Sequence, residues 1–172
     1  MKRFLLLMTA LVTFNAQAAL MTLSLDKIEA AVGEQVIATV GIALEDGELF
    51  SDFQFDLNFD NSIFRLTSDL ISPEFGGLGF AHANDLGLSA LGNKFDGALS
   101  GNVTLFDFTL EVLDASATSL GLANVFAFDS FNMADVNLSA QSAVAFNQVS
   151  VPAPATLGLF LLAGLGLAAR RR

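Results

Sequence analysis

Residues 52–60 read DFQFDLNFD, and this stretch decides the fold. Apolar side chains occupy every second position, Phe53, Phe55, Leu57 and Phe59, and Asp, Gln or Asn fills the positions around them. Because successive side chains of a β-strand point to opposite faces, this period of two predicts a strand with one buried and one hydrated face. A slip of one residue would bury carboxylates and expose phenylalanines, so the register is strongly specified.

The same alternation recurs along the chain and predicts a protein made of sheets. It is clearest in two long runs, 36–44 and 106–112. Further short strands are expected within residues 21–25, 63–66, 120–128 and 136–149. Turn-forming residues separate these runs, as in Val32-Gly33-Glu34, Glu45-Asp46-Gly47-Glu48 and Asp60-Asn61-Ser62. We therefore predict an all-β fold, an antiparallel two-sheet sandwich of the jelly-roll or immunoglobulin-like type.

Residues 73–102, between the two halves, are rich in glycine and lack a regular pattern. We interpret them as a long surface connection that holds one short strand around residues 86–91. His82 lies here and is the only histidine of the chain. A lone histidine makes neither a metal site nor a catalytic dyad without partners, so we assign it no function.

The N-terminus has the layout of a secretory signal peptide. Lys2 and Arg3 precede an apolar run, 4–14, and Ala16-Gln17-Ala18 forms a small-residue cleavage site. We expect signal peptidase to cut after Ala18, which makes residues 1–18 the signal peptide. The chain contains no cysteine, which excludes lipoprotein acylation, disulfides and thiolate metal sites.

The C-terminal residues 151–172, VPAPATLGLFLLAGLGLAARRR, predict a membrane-directed tail. Pro152 and Pro154 make a stiff entry, and residues 155–169 are uncharged, so they can form a transmembrane helix. Its length of about 22 Å is short of the ~30 Å hydrocarbon core, a shortfall that arginine snorkelling can meet. The terminal arginines should stay cytoplasmic, which places the preceding domain on the far side of the membrane.

This tail resembles the PEP-CTERM sorting domain of Gram-negative bacteria. The matching positions are Val151, Pro152, Pro154, Ala155, Thr156, Leu157, Arg170, Arg171 and Arg172, whereas Ala153 stands where the family's namesake has Glu. The resemblance implies that an exosortase-type membrane sorting enzyme recognises and cleaves the chain near the two prolines, in connection with exopolysaccharide production. The same tail is also known as an ice-binding-protein C-terminal domain, a label that carries no information on ice binding.

Both ends together predict a protein exported across the inner membrane and delivered to the cell surface or a secreted matrix. The C-terminal helix would anchor it transiently. The middle portion, residues 19–150, is one domain by size. It carries a net charge of −15, from 18 acidic residues against Lys27, Arg65 and Lys94. Such a charge excludes nucleic acid as a partner, and the lack of Trp and Tyr disfavours a typical sugar-stacking face.

The middle portion resembles a cohesin-like domain. The features are a Leu-x-Leu strand at 23–25, Val-Gly-Glu-x-Val at 32–36, the phenylalanine ladder continuing to Leu66, and the later strand 105–112 followed by Ala-Thr-Ser-Leu at 117–120. The resemblance implies a nine-stranded jelly-roll sandwich, related in fold to cellulose-binding modules, that serves protein–protein or surface attachment. Dockerin binding is not implied, since the contact face cannot be matched residue by residue.

The sequence carries no recognisable catalytic pattern. The sequence has no Gly-x-Ser-x-Gly, no zinc-spaced His pair and no phosphate loop after a strand. We therefore expect no catalytic residue and no cofactor. Oxygen-rich turns at Glu45, Asp46 and Glu48, or at Asp60 and Asn61, are the candidates for calcium, although they match no calcium-loop signature. The leading hypothesis is a non-catalytic adhesive or structural surface protein, bound to exopolysaccharide or to another surface protein. The alternative is a polysaccharide- or calcium-binding module.

Overall fold

The structure is a computed structural model, and it describes residues 18–67, 75–114 and 116–147. Within those residues the chain forms eleven β-strands and no helix. In chain order they are β1 (Ala19–Leu25), β2 (Gln35–Ala43), β3 (Asp52–Asn58), β4 (Phe64–Leu66), β5 (Leu78–Asn84), β6 (Gly87–Asn93), β7 (Asn102–Val112), β8 (Thr118–Asp129), β9 (Ala134–Asp135), β10 (Leu138–Ala140) and β11 (Val144–Phe146). The predicted all-β fold is confirmed.

The strands form two sheets. The first sheet has the order β10-β1-β2-β7-β4, and the second has the order β11-β8-β3-β6-β5, with the two-residue β9 paired to β8. All pairs are antiparallel except β1 with β10, which run parallel through the pairs Ala19–Leu138 to Met21–Ala140. The two-sheet sandwich is therefore as predicted, and the one parallel pair departs from the purely antiparallel expectation.

The core lies between the sheets and is built from alternating residues. In β3 the predicted face, Phe53, Phe55 and Leu57, is buried, and Asp52, Gln54, Asp56 and Asn58 point outward. The predicted inner faces of β2 and β7 are buried in the same way. Phenylalanine rings from the two sheets meet edge to face, with centroids 5.8 Å apart for Phe55 and Phe106 and 5.7 Å apart for Phe53 and Phe106. Such pairs stabilise a core beyond the area that they bury.

The predicted long connection at residues 73–102 is wrong over most of its length, although the short strand expected around residues 86–91 is present as β6. Residues 78–93 form the hairpin β5–β6, which completes the second sheet. Apart from Leu88, the inward positions of this hairpin hold glycine or alanine, because rings from β3 and from the facing sheet fill the space. A Cβ on Gly92 would come within 2.3 Å of the Phe53 ring, and one on Gly79 within 2.7 Å of the Phe106 ring. The hairpin therefore lacks large apolar residues at every second, inward position, and this is the pattern from which a strand is predicted.

The predicted turns are confirmed. Asp60 accepts hydrogen bonds from the backbone N–H and the hydroxyl of Ser62, at 2.8 and 2.6 Å. The acidic turn after β2 closes with Glu48 N–H donating to the Glu45 carbonyl at 3.1 Å, and its Gly47 has a φ of 88°, which glycine adopts without strain. The nine strands implied by the family resemblance compare with eleven here, of which four have only two or three residues.

Candidate functional site

The predicted processing sites fall almost wholly outside the described residues. These are Ala16, Val151, Pro152, Pro154, Ala155, Thr156, Leu157, Arg170, Arg171 and Arg172, and the predicted signal and transmembrane helices lie there with them. Ala18 is described and is half-buried, directly before β1. Over the described ranges, the chain has no helix with the length and apolar character needed to cross a membrane.

The outer surface of the second sheet carries exposed apolar side chains, which we call the apolar face. It consists of the exposed Leu78 and Phe80 on β5, Leu91 on β6 and Phe126 on β8, together with the half-buried Phe128 on β8. Phe80 is 65% exposed, Leu91 51% and Phe126 48%. Each has the outward position of its strand, because its chain neighbours point to the core. These side chains are therefore large, apolar and in contact with solvent.

The strand register brings the apolar face into one row. Phe80 pairs with Leu91, Leu91 pairs with Gln54, and Gln54 pairs with Phe126. With strands about 4.8 Å apart, the row spans about 14 Å across four strands. Phe126 and Phe128 stack with a centroid distance of 6.5 Å and an interplanar angle of 11°. The sheet thus presents an apolar stripe that the polar side chain of Gln54 interrupts at its middle.

Two carboxylates flank the middle of this stripe and are held in place. Asp52 accepts hydrogen bonds from the Ser51 hydroxyl, at 2.6 Å, and from the Asn93 amide. Asp56 accepts one from the side chain of Asn124. Asn124 lies where the pairing of β3 with β8 shifts register, and its φ of 49° marks the irregularity. The bulge therefore fixes a polar border on the apolar face.

One end of β3 is joined to the end of β8 by hydrogen bonds between the hydroxyl-bearing residues Ser51 and Ser130. Ser51 is fully buried; its hydroxyl lies 2.7 Å from that of Ser130 and accepts a hydrogen bond from the Ser130 N–H at 2.9 Å. Next to it, the Asp129 carboxylate accepts from Asn132 Nδ2 at 2.6 Å and from the N–H groups of Phe131 and Asn132. These bonds, first of all the one from the Asn132 side chain, lower the pKa of Asp129. They also hold the following loop, which exposes Phe131 and Met133.

The outer surface of the first sheet is polar, and we call it the hydroxyl face. Its outward side chains include Thr22, Ser24, Thr39, Thr104, Asp107, Thr109 and Glu111. The Thr39 hydroxyl donates to Asp107 at 2.6 Å, and Arg65 forms an ion pair with Glu111 at 2.5 Å. The exposed apolar residues here, Leu20 and Ile37, are aliphatic and stand on different strands.

The candidate calcium ligands do not come together as a metal site. No group of three or more Asp, Glu or His side chains placed to hold a metal occurs in the described ranges. Within the acidic turn, Glu48 accepts from the Glu45 N–H at 3.0 Å, and Asp60 is bonded to Ser62. An open cavity of about 600 Å³ lies at the end of the sandwich where β3 ends, and Asp60, Asn61 and Asp85 are among the residues that line it. The only histidine, His82, is exposed on β5 beside the apolar face.

Sequence reasoning missed two of the five residues of the apolar face. Leu91 and Phe126 lie in segments that the sequence predicts as strands. Leu78 and Phe80 lie in the segment that it predicts as a connection. The signal that could have found them is the period-two run Leu78, Phe80, His82, with Gly or Ala at each position between them. Such a run predicts a strand that faces solvent with its large side chains, the reverse of the usual pattern.

Comparisons with known proteins agree with this architecture. A family model described as "Cohesin domain" matches residues 21–147. No curated protein matches the chain by sequence. Among solved structures, the cohesin module of a Clostridium perfringens family 33 glycoside hydrolase is similar, with 15% identity, a TM-score of 0.67, and coverage of 77% of this chain and 97% of that one.

Two further solved structures show the same fold. A non-cellulosomal cohesin from the archaeon Archaeoglobus fulgidus has 17% identity and a TM-score of 0.62, with 78% of this chain and 93% of that one covered. The sixth cohesin of scaffoldin B from Acetivibrio cellulolyticus, solved in complex with a mutant dockerin, has 15% identity and a TM-score of 0.60, with 75% and 99% covered. At these identities the likeness establishes the fold.

Proposed function

This chain belongs to the cohesin domain family, and we propose that it is a non-catalytic attachment module that holds another protein against its apolar face. The observation that carries the proposal is the row Phe80–Leu91–Gln54–Phe126, which leaves two phenylalanines and a leucine about half or more exposed on one sheet surface. Contiguous apolar surface with a polar border marks interaction sites on soluble domains.

The residue types on the apolar face suit protein recognition. Aromatic side chains, phenylalanine among them, are enriched in the cores of protein interfaces, and near-neutral contacts around the energetically dominant residues exclude water. Phe80, Phe126 and Phe128 provide such anchors, and Asp52 and Asp56 provide the polar border. Because those carboxylates are already hydrogen-bonded within the sheet, their positions are set before a partner arrives, which reduces the entropy cost of binding.

The family relationship supports a protein as the occupant. The Acetivibrio cellulolyticus cohesin named above was solved with a dockerin bound, so the fold carries protein recognition in that molecule. For this chain the proposed partner is another surface protein. The absence of Trp and Tyr from the sequence argues against sugar stacking as the main mode of attachment.

We also propose how the module reaches its place of work. Signal peptidase would remove residues 1–18, the tail 151–172 would anchor the chain in the inner membrane, and an exosortase-type enzyme would cleave near Pro152 and Pro154. The support is the order of charged, apolar and small residues at both ends of the sequence. The mature product would then lie at the cell surface or in the exopolysaccharide matrix of a Gram-negative bacterium.

The attachment is tested by adding the purified, labelled chain to cells of the strain that normally produces it, after the gene for the chain has been deleted. Cells are treated beforehand with protease or with polysaccharide-degrading enzymes, and bound label is measured with calcium or with a chelator. The proposal expects binding that protease abolishes and that polysaccharide removal and chelation leave unchanged. Loss of binding only after polysaccharide removal, or only in chelator, would overturn it in favour of a polysaccharide- or calcium-dependent module.

The sorting route is tested by the intact mass of the protein recovered from cells with and without the sorting enzyme. We expect a product that lacks residues 1–18 and ends near Pro152 to Pro154, and retention of the tail when the enzyme is absent. An identical mature product in both strains would contradict exosortase sorting, whatever the result of the attachment experiment.

A further inference from the structure

The edge strand β5 differs from every other edge of the two sheets in the described part of the chain. It has seven residues, Leu78–Asn84, and it carries no charge and no proline. The other edges in the described residues have at most three residues: β4, β10 and β11 have three each and β9 has two, and β4 carries Arg65 and β9 carries Asp135. Natural sheets protect their edges with short strands, charges or proline, because an unprotected edge pairs with another strand. β5 has none of these devices.

Among the described residues, no strand pairs with the outer side of β5. Within the described residues the strand pairs only with β6, and every second residue of an edge strand points its N–H and C=O away from the sheet. The last carbonyl is already used, since Asn61 Nδ2 donates to the carbonyls of Asn84 and Asp85 at 3.1 and 3.0 Å. The segment left for pairing is therefore residues 78–83.

The strand is also a palindrome in side-chain size. Ala81 is its centre, the ring-bearing Phe80 and His82 stand on either side, and the small Gly79 and Ala83 stand beyond them. A two-fold axis through an antiparallel pair of such strands brings a residue of one copy opposite the mirrored residue of the other. Phe80 would then face the ring of His82, and Gly79 would face Ala83.

We propose that β5 pairs with β5 of a second copy of this chain, antiparallel and centred on Ala81, so that the two second sheets join into one. This interface uses the strand edge and so goes beyond the proposed attachment through the apolar face. The register suits two acidic copies: Asp85 falls opposite Gly77, and the two Asp85 side chains are about 26 Å apart along the strands, since each residue rises about 3.3 Å.

The proposal yields a register-specific covalent test, because the chain has no cysteine of its own. In the two-fold register Ala81 is the one residue that lies opposite its own copy, at the Cα separation that a disulfide spans. Ala83→Cys is the matched control on the same strand, since Ala83 lies opposite Gly79. The variants are made in the full chain, purified from producing cells, oxidised mildly and examined on non-reducing gels.

We expect Ala81→Cys to form covalent dimers and Ala83→Cys to remain monomeric. Equal cross-linking of both variants, or none in either, would overturn the register. The unmodified protein is also examined by sedimentation equilibrium over a concentration series. It should dimerise, and the dimer should become stronger as salt rises, because both copies are acidic. A monomer at all concentrations would overturn the proposal.

A charged edge separates this inference from the attachment proposal. Ala83→Lys places a charge on the edge and should weaken dimerisation roughly tenfold or more. Ala145→Lys, the same change on the other edge strand β11, should leave it unchanged. A Leu91→Ser variant should keep dimerisation and lose partner binding. If Leu91→Ser keeps both properties, attachment through the apolar face fails while β5 pairing stands. If Ala83→Lys dimerises normally, β5 pairing fails, and the attachment proposal is unaffected.

Discussion

The two sheets of this sandwich have similar inner faces and different outer faces. Inside, Phe53 and Phe55 of the second sheet pack against Phe106 and Phe108 of the first. Outside, the first sheet shows threonines and paired charges, whereas the second shows phenylalanines and leucines. Stability requires only the inner faces. The apolar outer face costs hydration and adds nothing to the core, which indicates that it serves binding.

The largest expected effect tests whether the inner faces are alike. Phe55→Ala in the second sheet and Phe106→Ala in the first each remove a ring that is at most 1% exposed, so each should lower the free energy of unfolding by about 3–5 kcal/mol. Denaturant unfolding followed by circular dichroism measures both. A cost below 1.5 kcal/mol for either variant would show that its sheet does not share one core with the other.

A smaller effect is expected where glycine makes room for those rings. Gly92→Ala should destabilise by about 1–3 kcal/mol, because the new methyl group would collide with the Phe53 ring. Gly121→Ala is the control in the same sheet, since its nearest neighbour is the Ala143 Cβ at 3.6 Å. That variant should be neutral or more stable by about 0.4–1 kcal/mol. Equal melting temperatures for the two would contradict the packing described for β6.

The hydroxyl network behind the apolar face should contribute less. Ser51→Ala removes a buried hydroxyl that lies 2.7 Å from the Ser130 hydroxyl and accepts from its N–H, and should cost about 1–2 kcal/mol. Thr39→Ala, which removes an exposed hydroxyl bond on the hydroxyl face, should cost about 0.5 kcal/mol or less. Urea unfolding measures the free energy of unfolding of both variants. A larger loss in Thr39→Ala than in Ser51→Ala would contradict this order.

The smallest expected effect is a dependence of stability on acid. The pKa of Asp129 is lowered in the folded state, chiefly by the hydrogen bond from the Asn132 side chain. A depressed folded pKa gives stability that is complete above the ordinary value of ~3.9 and is lost as pH falls through the folded value. Unfolding measured from pH 6 to pH 2 should therefore show a shallower acid loss in Asp129→Asn than in the parent. Parallel curves would exclude Asp129 as a contributor.

Much of the fold could be predicted because the core strands obey one rule. In β2, β3 and β7 buried apolar residues alternate with outward ones along most of each strand, so periodicity predicts the strands and their faces. The rule failed in β5 and β6, where Gly79 and Gly92 face inward because rings from other strands occupy the space. That packing depends on residues far apart in sequence, and no local pattern contains it.

The candidate site was less predictable for the same reason. The row contains residues of three different strands, Phe80, Leu91 and Phe126. They come together only because β5 pairs with β6, and because β6 and β8 both pair with β3. The cohesin resemblance gave the fold and the expectation of attachment without giving the face. The export and sorting predictions depend on local sequence alone and remain predictions, since their residues lie outside those that the structure describes.

Photo-cross-linking from the two outer faces tests the central claim most directly. A photoreactive amino acid replaces Leu91 on the apolar face or Ile37 on the hydroxyl face, two exposed aliphatic residues in mid-strand. The full chain is irradiated in producing cells, with excess unlabelled chain as competitor. The account predicts a protein adduct at position 91 that the parent chain competes away and a Phe126→Ser chain does not, and no such adduct at position 37. Adducts of equal yield at both positions, or only at position 37, would contradict it.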